Sequence, residues 1–235
     1  MGREQMENQH NREAKLQFIQ GSFDDLRRRS DLLVELIRTN HEDEAYLLCV
    51  CYIEGLGNNL YWPEERSKWN FVRALKEYGG EEVLWHVHPK QLRLALADAM
   101  SKRLRSIGEK LNEGLAKAEG RLYSEDEIFT LIAPALSEDE AETLRQNLWR
   151  GSLAALAYER IRSQLVHNLG TGGSISFDRT SFRGQAVPGL DFQMLYRALG
   201  EILQAARQLS VTSGTLYGHD FKSPRSTDED EPEDK

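Results

Sequence analysis

Apolar side chains recur at spacings near three and four along most of this chain, a rhythm that predicts helices. From Lys15 to Arg38 the stripe includes Phe18, Ile19, Phe23, Leu26 and Leu33, and Asn40 stops it. Asp43 to Leu56 is apolar almost all round, as a buried core helix would be, and Gly55 and Gly57-Asn58-Asn59 mark its end. Trp62-Pro63-Glu64-Glu65 reads as a helix start, with proline in the first turn and acids near the positive end of the dipole. The helix it opens carries Trp69, Val72, Leu75 and Tyr78 as far as Gly79-Gly80.

His88-Pro89 opens the next helix, with Leu92, Leu96 and Met100 as its stripe. Ser101 to Glu119 continues as helix through Leu104, Ile107, Leu111 and Leu115. Ser124-x2-Glu127 and Ser137-x2-Glu140 are capping boxes, the second ahead of a helix expected to run from Leu144 to Val166. After Asn168-Leu169-Gly170 the grammar changes. The Gly172–Phe177 run and Val187-Pro188-Gly189 contain turn formers and β-formers, so 174–187 reads as a small β-hairpin. Gly170-Thr-Gly-Gly173 follows a helix and reads as its C-terminal turn. Asp191 caps a final helix through Leu195, Leu199, Ile202 and Leu203. The expected fold is all-α, a helical bundle over 15–217 with a β-hairpin insertion near 174–187. A flexible stretch over 1–14 precedes it and a disordered acidic tail over 218–235 follows. The stretch from Gly108 to Gly120 is the weakest point for any division.

Composition adds limits. The chain has 235 residues, enough to bury a core without disulfides or metals. Cys49 and Cys51, two apart on a helix, diverge and cannot bridge each other, so they read as small packing residues. The N-terminus has no apolar signal core, and no run approaches the roughly 20 apolar residues that span a bilayer. These features predict a cytoplasmic protein with no membrane partner. The net charge is −8, of which Asp228–Lys235 carries −5, leaving −3 for the rest. That excludes a generally basic nucleic-acid binder but leaves room for a local groove. Arg27-Arg28-Arg29 and Lys102-Arg103-x-Arg105 are the basic clusters, and a solvated helix face is the plainer reading of each.

The informative stretch is Tyr158-Glu-Arg-Ile-Arg-Ser-Gln-Leu-Val-His-Asn168. On an ideal helix Arg162 and His167 lie about 140° apart, so both can border one groove. A histidine that titrates near neutral pH beside a planar cation suited to phosphate is a minimal kit for phosphodiester cleavage. Against that stands a bland account, with His167 touching the last helical carbonyls and Arg162 in an ion pair with Glu159. Trp85-His86-Val87-His88 offers two histidines two apart, but no acid or thiol pattern completes a metal site. No cofactor motif is present, and none is expected.

Tyr158-x3-Arg162-x4-His167-Asn168, late in a helical bundle, resembles the HEPN family (higher eukaryotes and prokaryotes nucleotide-binding). The likeness extends in layout over Lys15 to Leu209 and is sharp only over Tyr158 to Gly170. It implies Arg162 and His167 as catalytic residues of a metal-independent endoribonuclease of toxin or defence type. Tyr158, Glu159, Ser163 and Asn168 would support them. It also implies a homodimer, an RNA substrate, and an antitoxin or other protein partner. The family usually has Asn, Asp or His after the arginine, where this chain has Ser163. Leu169 stands where one branch carries a modifiable tyrosine. The alternatives are a non-catalytic HEPN-like module that binds nucleotide, RNA or a protein, and an unrelated helical scaffold.

Overall fold

A computed structural model describes residues 3–64, 66–119, 121–163, 180–182, 185–187 and 191–219. Within these, side chains are described except those of 3–9, Arg160, Arg162, Ser163 and the short segments at 180–182 and 185–187. The protein is mostly helical, and its all-α architecture follows the apolar periodicity.

Helix α1 (Arg3–Arg38) begins well before Lys15 and buries Ile19, Phe23 and Leu33, while Phe18 is 65% exposed. Asn40 ends it with a left-handed φ of 59°. Helix α2 (Glu42–Leu60) starts with Glu42, Asp43 and Glu44 beside the positive dipole end. It runs straight through the glycines expected to stop it. Gly57 is there because α3 (Ser67–Tyr78) crosses so closely. A Cβ at Gly57 would lie 2.7 Å from the Asn70 carbonyl oxygen. Pro63 opens no helix. It follows a cis peptide bond in a turn, and α3 begins at Ser67.

A short 3₁₀ turn (Glu82–Trp85) leads into an extended seam in which Val87 bridges both Tyr123 and Ser152. Helices α4 (Pro89–Ala97), α5 (Lys102–Lys117), α6 (Glu125–Ile132) and α7 (Glu138–Arg145) follow. Both capping boxes form as expected at Ser124 and Ser137. Met100 does not join the α4 stripe; it is 97% exposed, outside the helix.

The continuous helix expected over 144–166 is broken. After α7 the chain makes a 3₁₀ turn (Leu148–Gly151), then α8 (Leu153–Ala157), then a π-helical segment (Tyr158–Ser163). Gly151 is wedged against α4 and the seam, where a Cβ would sit 2.6 Å from Leu92 Cβ and 2.9 Å from Val87 Cγ1. Ser152 then restarts the helix by accepting a 3.1 Å bond from the Ala155 N–H. Helix α9 (Phe192–Ser213) is capped by Asp191 and closes the bundle against α1, α2 and α3.

Thr180–Phe182 and Gln185–Val187 lie antiparallel, with Ser181 opposite Ala186. Three residues a side, with no third strand among the described residues, make no stable sheet layer. The β-hairpin insertion expected over 174–187 is therefore not supported as an element of the fold, and most of that span lies outside the described residues. So do the glycine turn at 170–173 and the acidic tail from 220 onward.

The described helices enclose two apolar cores. The larger gathers α1, α2, α3, α8, the π segment and α9 around Phe23, Ile53, Phe71 and Ile202. The smaller gathers α4 to α7 around Leu92, Leu96, Ile107 and Ile128. Each such fully buried side chain contributes roughly 1.5–3 kcal/mol. No helix among the described residues is long and apolar enough to cross a membrane.

Candidate functional site

The motif stretch enters the larger core through Tyr158, whose ring packs on Phe71 with centroids 5.3 Å apart. Its hydroxyl donates a 2.9 Å hydrogen bond to Glu54 Oε1 on α2. Glu54 is 9% exposed, a carboxylate almost inside the core. Ile161 is fully buried. Between these anchors the backbone of Tyr158–Ser163 winds as a π-helix. Such single turns widen a helix by one residue and occur frequently at functional sites. The backbone of Arg162 lies in this turn.

Glu159 faces the other way, toward the smaller core. Its Oε1 takes Lys68 Nζ of α3, and its Oε2 accepts a 3.0 Å bond from Gln91 Nε2 of α4. Each oxygen thus has one partner on a neighbouring helix, while the ion pair with Arg162 expected on the bland account involves a side chain outside the described residues. Around this junction stand Trp69 and Trp149, with ring centroids 5.0 Å apart. Lys68 Nζ lies 5.5 Å from the Trp149 ring centroid and Arg150 Cζ 4.9 Å from it. Arg150 Nε donates to Asn147 Oδ1 at 2.8 Å. Burial pulls the Arg150 pKa down from its ordinary value, and the nearby Glu159 charge opposes the change.

Of the expected site residues, Tyr158 and Glu159 are thus placed on opposite sides of one turn. The side chains of Arg162 and Ser163, and all of His167 and Asn168, lie outside the described residues. Sequence reasoning missed Glu54, Lys68, Gln91, Trp149 and Arg150. Glu54 had a signal, as the single acid in the apolar run Val50–Leu56. The others had none, because only the folded chain brings α3, α4 and the Leu148–Gly151 turn together.

The remaining candidates have local roles. His88 is 6% exposed and caps α4, its Nδ1 facing the Gln91 N–H at 3.4 Å, and burial lowers its pKa. No group of three or more His, Cys, Asp or Glu suited to a metal occurs among the described residues. Cys49 is fully buried, and burial pushes its thiol up, away from reactivity. Arg27, Arg28 and Arg29 pair with Asp31 and Asp25 on the exposed face of α1. Arg103 pairs with Asp139, and Arg105 donates to the Ala99 carbonyl at 2.8 Å.

No protein-family model, curated protein or solved structure matches the chain. What supports a function is therefore the chemistry of the residues themselves.

Proposed function

We propose that this chain is a HEPN-type, metal-independent endoribonuclease in which Arg162 and His167 cleave RNA at the cleft of a homodimer. The observation that carries the reading is the π-helical turn at Tyr158–Ser163, anchored by the Tyr158–Glu54 hydrogen bond. A π turn forgoes regular helical bonding, and a carboxylate at 9% exposure is costly to bury. Departures from local rules of this kind concentrate at functional sites. They coincide here with the arginine of the motif.

In the proposed reaction an RNA 2′-oxygen loses its proton to a base and bonds to phosphorus, while the P–O5′ bond breaks and the departing oxygen gains a proton. His167 serves as base or acid, and its mate across the two-fold axis serves as the other. Arg162 stabilises the negative charge that builds on the phosphorane oxygens. Ser163 and Asn168 are assigned to this site as polar support. We assign the protein to the cytoplasm as a toxin or defence effector, held by an antitoxin or another protein partner.

A non-catalytic HEPN-like module that binds nucleotide, RNA or a protein is the second reading. It is favoured by the commitment of Glu159 to Lys68 and Gln91, which gives that residue a structural task.

The test is cleavage of a mixed RNA pool in EDTA by wild type, Arg162→Ala and His167→Ala. Each substitution should lower the rate on the order of 10²–10³. Undiminished cutting by both variants would show the activity to be a contaminant. A folded wild-type dimer that cuts nothing would hand the function to the binding module.

A further inference from the structure

Trp149 occupies an unusual position for a core aromatic. It is only partly buried, leans on Trp69, and has two cations near its ring. The cations differ. Lys68 is committed to Glu159. Arg150 donates to Asn147 and lies over the Trp149 ring; Glu159 acts on it as a nearby charge, but among the described residues no carboxylate is within ion-pair distance of it. Arg145, five residues earlier in the chain, reaches Asp126 at 3.6 Å. A half-buried guanidinium with no directly paired anion among the described residues is only partly compensated for its desolvation, here by the Glu159 charge at longer range.

We propose that Trp149, Trp69 and Arg150 form a binding platform for single-stranded RNA, on which a base stacks against indole while Arg150 holds the adjoining phosphate. The combination of an aromatic surface with a planar cation is what sequence-tolerant single-strand binding uses. Guanidinium suits it because it stacks on aromatic faces and still presents a fork to phosphate. Lys68 supplies the link to the motif. It touches both the Trp149 ring and Glu159, and Glu159 precedes Arg162 by three residues, less than one helical turn. The cluster around Trp149 is thus linked through Lys68 to the turn that carries the backbone of Arg162. The choice of RNA as ligand rests on the ribonuclease reading; the platform itself rests on the side-chain cluster.

The experiment measures fluorescence anisotropy of a labelled, short, single-stranded 2′-O-methyl RNA with the full chain. That probe has no 2′-hydroxyl to react, so binding is read apart from cleavage. Trp149→Ala should weaken binding about tenfold or more. Trp149→Phe, which keeps a ring, should recover most of the loss, and this recovery separates stacking from misfolding. Arg150→Gln should lower the slope of log affinity against log salt by about 0.7, one phosphate contact on a single strand. Trp149-dependent binding of this probe without any cutting of ordinary RNA would support the platform and sink the nuclease. The platform is overturned if Trp149→Ala binds as tightly as wild type, or if wild type binds no strand. It is equally overturned if a duplex of the same sequence binds with the same dependence on Trp149. Binding of a polyglutamate peptide in place of RNA would reassign the surface to a protein partner.

Discussion

The two cores of this protein are built in different ways. The smaller one is made of short amphipathic helices, α4 started by His88 and α5, α6 and α7 each by a serine, all turning apolar side chains inward. The larger one holds what regular packing does not call for: the Glu54 carboxylate, the buried Asn70, the π turn and the Gly57 crossing. Among the described residues, the side-chain atoms buried without a hydrogen-bond partner, Asn70 Oδ1, Gln91 Oε1 and Arg93 Nε, fall on α3 and α4. Local rules suffice to make a stable helical unit. The exceptions collect in the larger core and along its border, where Tyr158, Glu54 and Glu159 meet α2, α3 and α4.

The largest effects should come from cutting into each core. Phe71→Ala, at a fully buried position against Tyr158, should cost about 3–5 kcal/mol, and Leu111→Ala in the smaller core about 2–5 kcal/mol. The seam through Val87 ties backbone of both regions, since its N–H donates to Tyr123 and the next N–H, of His88, donates to Gly151. Thermal unfolding followed by both far-ultraviolet dichroism and tryptophan fluorescence should therefore give one coincident transition in either variant. Two separated transitions would break the picture of cores that unfold together.

The same contrast explains what the sequence disclosed. In the smaller core the stripe Leu104, Ile107, Leu111 and Leu115 is buried in full, and both capping boxes form, because each signal acts within a few residues. Asp191 was legible as a cap for the same reason. Gly57 was misread because its role is set by Asn70, a partner on another helix. Gly151 breaks a helix that periodicity would continue, and its cause is the distant Leu92. At the candidate site the motif was visible as a string of letters. The carboxylate beneath it and the tryptophan beside it were not, since Glu54 and Tyr158 are 104 residues apart in sequence. Tertiary contacts of that span leave no local periodicity to detect.

A smaller effect should follow from Tyr158→Phe. It removes a hydrogen bond to a carboxylate, worth roughly 1.5–3 kcal/mol, while the ring keeps its packing on Phe71. If the π turn is held by this bond, RNA cleavage should fall more steeply than stability, seen as a lowered kcat with little change in KM. Equal behaviour to wild type would make Tyr158 a packing residue only. Smaller again is the junction. In a double-mutant cycle of Lys68→Met and Glu159→Gln the coupling should be about 0.5–1 kcal/mol, because the side chains are 26% and 40% exposed and water screens the pair. Coupling near zero would remove Glu159 as the tie between α3 and the motif.

The smallest effects lie at the capping boxes and depend on pH. Lys110 donates to Glu140, and the Ser137 backbone N–H also donates to it, which together hold its carboxyl down to about 2. The backbone bond from Ser124 likewise holds Glu127 below the ordinary carboxylate range. A carboxyl with a folded pKa below its unfolded one stabilises the fold fully above the ordinary value of 4.5, and the benefit fades as pH falls toward about 2. The larger core's α2 and α3 have no side-chain cap at their N-termini, and Asp43 in the first turn of α2 is shifted the other way, its carboxyl raised by burial and by the neighbouring Glu44. On acidification, amide hydrogen exchange should therefore rise first in α6 and α7, ahead of α2. Glu140→Gln should flatten the response of α7 across that window by removing the group that titrates. Exchange that begins instead in α2 would mean that acid attacks the larger core first and would overturn this ordering.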